Sequence, residues 1–284
     1  MRKSTHILCL IAVAATLVMT GCGEYYAATK HADVEYKYEL AKACYIQGQY
    51  SRATELFTDL IFGLKGTGNG EECLFMAGMS AYMGHDYETG AQTFRKYYQS
   101  YPRGTYVELA RYYCGLALYE NVADPRLDQS TTDQAINELQ SFLDAYPYTT
   151  LKEQTQDMIF RLQDHLVEKQ FLAAQMYYNL GNYVGNCNFG GSNYEACIVT
   201  SENALRDYPY ASAERREQFG MLILRSRYHL ARQSIEEKRL ERFRETVDEY
   251  YGFVNEFPES IYLKEAQGYL NKSQRALQGQ PEED

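Results

Sequence analysis

Between residues 71 and 102 the apolar positions fall into two helical runs separated by a short polar turn. Leu74, Ala77, Gly78 and Ala81 keep the i, i+3, i+4, i+7 spacing of one helix face. Gly84-His85-Asp86-Tyr87 reads as a turn. Gly90, Phe94, Tyr97 and Tyr98 then line one face of a second helix, which Pro102 ends. Gly78 and Gly90 carry no side chain, so the pattern predicts a closely packed helical hairpin.

The same frame recurs along the chain. In residues 34–65, Leu40, Ala41 and Cys44 lead to Gly48-Gln49-Tyr50 and then to Ala53, Phe57 and Leu60. A third unit has Cys114, Gly115 and Leu118, an enlarged turn from Asn121 to Thr132, and then Ala135, Leu139 and Phe142. An aromatic residue and a proline close the units at Tyr101-Pro102, Tyr146-Pro147, Tyr208-Pro209 and Phe257-Pro258. A small residue precedes each of these prolines by twelve positions: Gly90, Ala135, Cys197 and Thr246. In the first unit a glycine-rich stretch, Gly63 to Gly70, replaces the closing proline. A repeated helix-turn-helix of about 34 residues is the tetratricopeptide pattern. The predicted fold is therefore all-α, a superhelical array of about five degenerate tetratricopeptide repeats in which neighbours bury a core that none could bury alone. Residues 34–147 hold repeats 1–3, the expected peptide-binding half. Residues 148–284 hold repeats 4–5 and a final helix near 260–277, the expected partner-docking half. The fourth unit carries an insert from Val184 to Asn193, and this and the enlarged turn are expected to project as loops.

The N-terminus changes the picture. Arg2 and Lys3 precede a short apolar run, Ile7 to Val18, and Met19-Thr20-Gly21-Cys22 follows. A basic end, an apolar centre and small residues before the cut describe a signal peptide over residues 1–21. The run is shorter than the roughly 20 residues that span a bilayer. Small residues directly before a cysteine resemble a lipobox, which makes Cys22 the expected acylation site, residues 22–33 a lipidated linker, and the membrane a partner through that anchor. The chain carries a net charge of −10, and the signal's only charges are basic, so the remainder is more acidic still. Such a balance argues against nucleic acid, whose recognition rests on clustered Lys and Arg. With Cys22 acylated, Cys44, Cys73, Cys114, Cys187 and Cys197 remain, an odd number. The first three fall on helical faces, as buried small hydrophobes do. Cys187 and Cys197 flank the glycine-rich insert, and a disulfide between them is one reading in an oxidising compartment.

Catalytic chemistry finds little support. The histidines are scattered, no HExxH, GxSxG or P-loop is present, and no Cys/His spacing suits a metal, so neither a catalytic site nor a metal or other cofactor is expected. Gly66, Gly68 and Gly70 follow a helix rather than a strand, which leaves a phosphate cradle weakly supported. A groove is the better candidate. In an array of this kind the first helix of each unit lines a concave surface. Those positions are Tyr38, Lys42 and Tyr45, then Phe75, Met79 and Tyr82, then Tyr112, Leu116 and Tyr119. Aromatic anchors suit capture of an extended apolar peptide, so Tyr38, Tyr45, Phe75, Met79, Tyr82, Tyr112 and Tyr119 are the candidate peptide-binding residues. The alternative is that many of these rings pack between neighbouring units.

A resemblance adds to this. Asp128-Gln129-Ser130-Thr131-Thr132-Asp133-Gln134-Ala135, Ala145-Tyr146-Pro147, Arg161-Leu162, His165-Leu166, Lys169, Ala174, Tyr177-Tyr178 and Leu205-Arg206-Asp207-Tyr208-Pro209 stand in order from the third unit to the end of the fourth. With the lipobox and five degenerate units, this resembles the BamD family, lipoproteins of the outer-membrane β-barrel assembly machinery. The insert around Gly190 departs from the family pattern. The resemblance implies a lipid-anchored protein on the periplasmic face of the outer membrane, with two kinds of partner. One is the periplasmic part of a BamA-like barrel insertase. The other is unfolded outer-membrane proteins, recognised through an apolar C-terminal signal. It also implies an insertase-docking basic residue six positions after Pro209, the proline that closes the fourth unit, which here is Arg215. Two rival functions remain: a tetratricopeptide scaffold lipoprotein of another envelope complex, or a glycan-binding outer-membrane lipoprotein, a class that uses tryptophan platforms this chain lacks.

Overall fold

The computed structural model describes residues 33–181, 183 and 192–280. Eleven helices and no strand occur among the described residues. They are α1 (Val34–Ile46), α2 (Tyr50–Leu60), α3 (Gly70–Met83), α4 (Tyr87–Ser100), α5 (Val107–Glu120), α6 (Ser130–Ala145), α7 (Lys152–Leu180), α8 (Asn193–Asp207), α9 (Ala213–Arg232), α10 (Glu236–Glu256) and α11 (Leu263–Leu277). The chain divides into two compact units. One holds the described residues up to Ala123 with Ser130–Ile159, and the other holds Asp124–Gln129 with the described residues from Phe160 onward. Consecutive helices pack on one another from α1 to α6 and again from α8 to α11, the arrangement of a tetratricopeptide array. Cys22 with the leader, Cys187 and residues 184–191 of the insert lie outside the described residues.

The short turns α1–α2 and α3–α4 have one geometry. Gly48 follows the cap of α1 with φ 74°, and His85 follows the cap of α3 with φ 61°. In both, the left-handed residue donates its N–H to the carbonyl three back, and the next residue donates to the carbonyl five back. These bonds are Gly48 to Tyr45 and Gln49 to Cys44, then His85 to Tyr82 and Asp86 to Ala81. This Schellman closure satisfies carbonyls the helix end leaves open. Asp86 then caps α4 by accepting from the Thr89 N–H at 3.2 Å.

Close approach depends on missing side chains. A Cβ built on Gly78 would lie 2.8 Å from the Phe94 ring, and one on Gly115 would lie 2.5 Å from Leu139. In the second unit a Cβ on Gly220 would lie 3.1 Å from Phe253. Phe94 and Leu139 are wholly buried and Phe253 nearly so, hence the space the glycine vacates is filled by the partner helix. Gly90 meets the backbone of Tyr82 at ordinary contact distance, 3.4 Å.

Polar ties fix the unit ends. Glu71, in the first turn of α3, accepts from the Tyr97 hydroxyl at 2.5 Å and from the Thr105 N–H just past Tyr101-Pro102. One unit later, Glu108 in the first turn of α5 accepts from the Thr149 hydroxyl just past Tyr146-Pro147, at 2.7 Å. Among residues 160–280, Arg227 of α9 reaches Glu202 of α8 at 2.8 Å and Glu249 of α10 at 2.9 Å. Arg225 grips Glu265 of α11 with two bonds of 2.7 Å.

The enlarged turn differs from the expectation of free projection. Gln129 is buried, and its amide donates to the carbonyls of Asp124 (2.8 Å) and Leu127 (3.2 Å), folding the enlarged turn on itself. Lys169 of α7 donates to Leu127 O at 3.1 Å. The described ends of the insert are tied by Asn193, whose buried side chain donates to Gly181 O at 3.1 Å and Tyr183 O at 3.3 Å.

Two stability predictions follow from these contacts. Gly78→Val should lower unfolding free energy by about 1–3 kcal/mol, because Phe94 has nowhere to move. Gly48→Ala, which meets no neighbour, should lose only about 1 kcal/mol from backbone conformation. Urea titration of both variants checks the order, and a Gly78→Val protein as stable as the parent would show that Phe94 yields. The second concerns pH. Tyr97 and the Thr105 and Tyr106 amides hold the Glu71 carboxyl below its ordinary value of 4.5. A lowered carboxylate adds stability that is complete above 4.5 and is lost as pH falls through the lower folded value. Glu71→Gln should therefore be less stable than the parent at pH 7, and the gap should close toward pH 3.

Candidate binding face

The expected groove residues lie on α1, α3 and α5, all within the first compact unit. They form two rows with a spacing of 37 residues: Tyr38, Phe75 and Tyr112, then Tyr45, Tyr82 and Tyr119. Between the rows stand Lys42, Met79 and Leu116 at the same spacing.

The rows have different fates. Tyr38, Phe75 and Tyr112 are only 2%, 8% and 5% exposed. Each ring packs down onto its own unit's second helix. Tyr38 meets Phe57 edge-on at 6.1 Å, and Tyr112 meets Phe142 at 5.7 Å. Phe75 lies among Phe94 and Tyr97 and stacks on Tyr106 at 4.6 Å. The first row is inter-helix core, as the alternative reading of these positions anticipates. The middle positions and the second row are half-buried. Tyr45 packs edge-on against Tyr50 at 5.6 Å, and Tyr82 meets Tyr87 at the same distance in a tilted arrangement. Each keeps part of its ring at the surface. Lys42, with its ammonium 5.1 Å from the Tyr38 centroid and 3.6 Å from Glu39, is the charged member of the face.

A residue outside the expected set completes the arrangement. Tyr113 lies 5.4 Å from Tyr82, stacks on Phe94 at 5.6 Å and meets Tyr112 at 5.5 Å. It thereby braces the half-buried row against the core of the preceding unit. Its position beside Tyr112 in an aromatic pair was the available sequence signal. Burial, followed by the nearby Glu120 carboxylate, pushes the Tyr82 hydroxyl up to about 12, so it stays a neutral donor.

Arg215 stands early in α9, in the second compact unit, and its backbone N–H caps onto Ser212 Oγ at 3.2 Å. Its guanidinium pairs with Glu168 of α7, donates to Gln218 Oε1 at 2.9 Å and lies 4.5 Å over the Phe171 ring. The side chain remains 20% exposed. Arg215 is thus already engaged within the protein, with one edge outward. Cys44, Cys73, Cys114 and Cys197 are all buried. Burial pushes the Cys73 and Cys114 thiols up to about 12, which suits packing rather than reaction. No described helix is long and apolar enough to cross a membrane.

The motif residues of the third and fourth units are mostly structural. Thr132, Ala135 and Ala174 are wholly buried, Leu162 nearly so, and Gln129 and Lys169 hold the enlarged turn. Residues 79–190 match the family model YfiO, described as an outer membrane lipoprotein. The chain is also 25% identical over 108 residues to the outer membrane protein assembly factor BamD of Caulobacter vibrioides, a match covering 38% of this chain. It spans 35% of that relative's length. From the second half of α3 through α7, therefore, this chain is similar to the outer membrane lipoproteins of that family model, and over 108 residues it is similar to a BamD assembly factor.

Proposed function

We propose that this chain is a non-catalytic lipoprotein of the machinery that assembles β-barrel proteins in the outer membrane, anchored through Cys22 on the periplasmic face. It binds unfolded outer-membrane proteins and the periplasmic part of a BamA-like insertase. One observation supports the reading: the stretch that matches the outer membrane lipoprotein family model, residues 79–190, includes the half-buried face of Met79, Tyr82, Leu116 and Tyr119. Burial of one large apolar side chain contributes about 1.5–3 kcal/mol. Two or three such contacts on this face would hold a short apolar peptide near micromolar affinity, since about −8.2 kcal/mol corresponds to 1 μM. Binding of that strength lets a client pass onward.

The two rows separate binding from folding. Met79→Ala and Tyr119→Ala should weaken binding of a labelled apolar C-terminal peptide with little change in melting temperature. Phe75→Ala should cost about 3–5 kcal/mol of stability, as truncation of a buried aromatic does. Undiminished peptide binding in both Met79→Ala and Tyr119→Ala would remove this face from the proposal.

Docking at Arg215 has its own test, because the residue already holds Glu168. Arg215→Gln and Glu168→Gln both break the internal pair, but only the second leaves the guanidinium for a partner. Losing one member of a desolvated charge pair costs roughly 2–5 kcal/mol. Arg215→Gln should thus reduce insertase recovery in affinity purification while Glu168→Gln retains it. Equal recovery from both would move the interface elsewhere.

A further inference from the structure

The first repeat ends differently from the others in what it shows to solvent. α2 stops at Leu60 without an aromatic-Pro pair. Residues 60–70 hold a lysine and no acidic residue, in a chain where acidic residues outnumber basic ones 38 to 28. Phe62 in this stretch is 80% exposed, an unusual position for a phenylalanine. The Lys96 ammonium, from the last turns of α4, lies 5.1 Å from its ring centroid, and Lys65 and Lys96 border the same recess as Phe62. Among the described residues neither lysine forms an ion pair.

The start of α1 belongs to the same edge. Lys37 bonds Asp59 at 2.9 Å, which sets the first turn of α1 beside the last turn of α2. Val34 and Tyr36 in that first turn are exposed. The edge thus presents exposed aromatic rings beside lysines, the residue types that lodge at a lipid–water boundary, with rings at headgroup level and ammonium groups near phosphates. Its acidic residues Asp33 and Glu35 stand on the α1 side, and Asp59 is engaged by Lys37. Eleven residue steps separate Cys22 from Asp33, a tether that reaches at most about 40 Å when extended. A short tether raises the local concentration to roughly the millimolar range. A surface contact too weak to hold the chain alone is therefore enough to orient it.

We infer that this edge of the first repeat rests on the surface of the membrane that holds the Cys22 anchor, with Phe62 in the headgroup region and Lys65 and Lys96 against lipid phosphates. The inference rests on the acylation of Cys22 proposed above and adds a second contact to it. The acyl anchor tethers the array without choosing its orientation, and the contact at Phe62 chooses it. Gly70, at the start of α3, packs against the Leu64 carbonyl, so α3 also begins at this edge. The α1–α2 turn at Gly48 and the Tyr82 end of α3 then point away from the bilayer.

The chain has no tryptophan, so a single one introduced reports its own surroundings. Phe62→Trp is compared with Ile46→Trp, which replaces an 82% exposed residue at the far end of α1, about 18 Å along the helix from Val34. Both are purified as full acylated chains and placed in vesicles of equal parts phosphatidylcholine and phosphatidylglycerol. Emission from Phe62→Trp should shift to shorter wavelength and be quenched when the lipids carry bromine near the headgroup end of their acyl chains. Ile46→Trp should show neither change. Adding Lys65→Gln with Lys96→Gln to Phe62→Trp should relieve the quenching. So should raising salt from about 0.1 M to about 1 M, which shortens the screening length from about 10 Å to about 3 Å. All these side chains are exposed, so thermal melts should match the parent. Intact mass reads the acyl group separately. An acylated chain with Phe62→Trp unquenched overturns the docking edge and leaves the anchor standing, whereas a chain without an acyl group overturns both. Equal quenching at the two positions would also overturn the inference, as would a wavelength shift without quenching, which assigns the edge to a protein partner.

Discussion

Three of the helix pairs rest on one steric constraint: one helix lacks a side chain and the other fills the gap. Gly78 receives Phe94, Gly115 receives Leu139 and Gly220 receives Phe253. Each filler is a large apolar side chain buried almost completely. The close approach brings the first-row rings within reach of the facing helix. Phe75 can therefore pack on Phe94 and Tyr97, and Tyr112 on Phe142. Because those rings are consumed by the core, the surface left on α3 and α5 is the next turn of the same stripe, at Met79, Tyr82, Leu116 and Tyr119.

Much of this was legible in the sequence, for physical reasons. Helical periodicity, the turn at Gly84-His85-Asp86-Tyr87 and the Tyr-Pro stops are local signals, and each corresponds to an element boundary in the structure. Gly78 was legible because a glycine inside an apolar helical stripe has few other uses. Which aromatic row is core was not legible. Phe75 and Tyr82 lie two turns apart on one stripe, and periodicity assigns both to the same face. The distinction comes from Phe94 and Tyr106, which reach Phe75 from another helix and a loop. The enlarged turn similarly read as a free loop, because nothing local says that Gln129 is buried and bonds two carbonyls within it. Arg215 read as an available cation, since Glu168 and Phe171 come from a helix some forty residues earlier.

The polar ties bear on how the array can work. Glu71 and Glu108 repeat one clip at successive unit ends, each joining the start of a first helix to the segment past an aromatic-Pro stop. Arg225 and Arg227 tie α8 to α11 by carboxylates on three helices. Such partly exposed pairs are individually modest in water, but they fix register where apolar packing is tolerant. A binding face built on helices so fixed presents its side chains at constant spacing, which lowers the entropy lost when a peptide is ordered on it.

The central claim is that the half-buried row on α3 and α5 meets unfolded barrel proteins. A photoreactive phenylalanine analogue placed at Met79, at Tyr119 or at Tyr148, which is 97% exposed on the same compact unit, tests it in intact cells. The account predicts crosslinks to unfolded outer-membrane proteins from Met79 and Tyr119 and none above background from Tyr148. Equal crosslinking at all three positions, or crosslinking from Tyr148 alone, would contradict it.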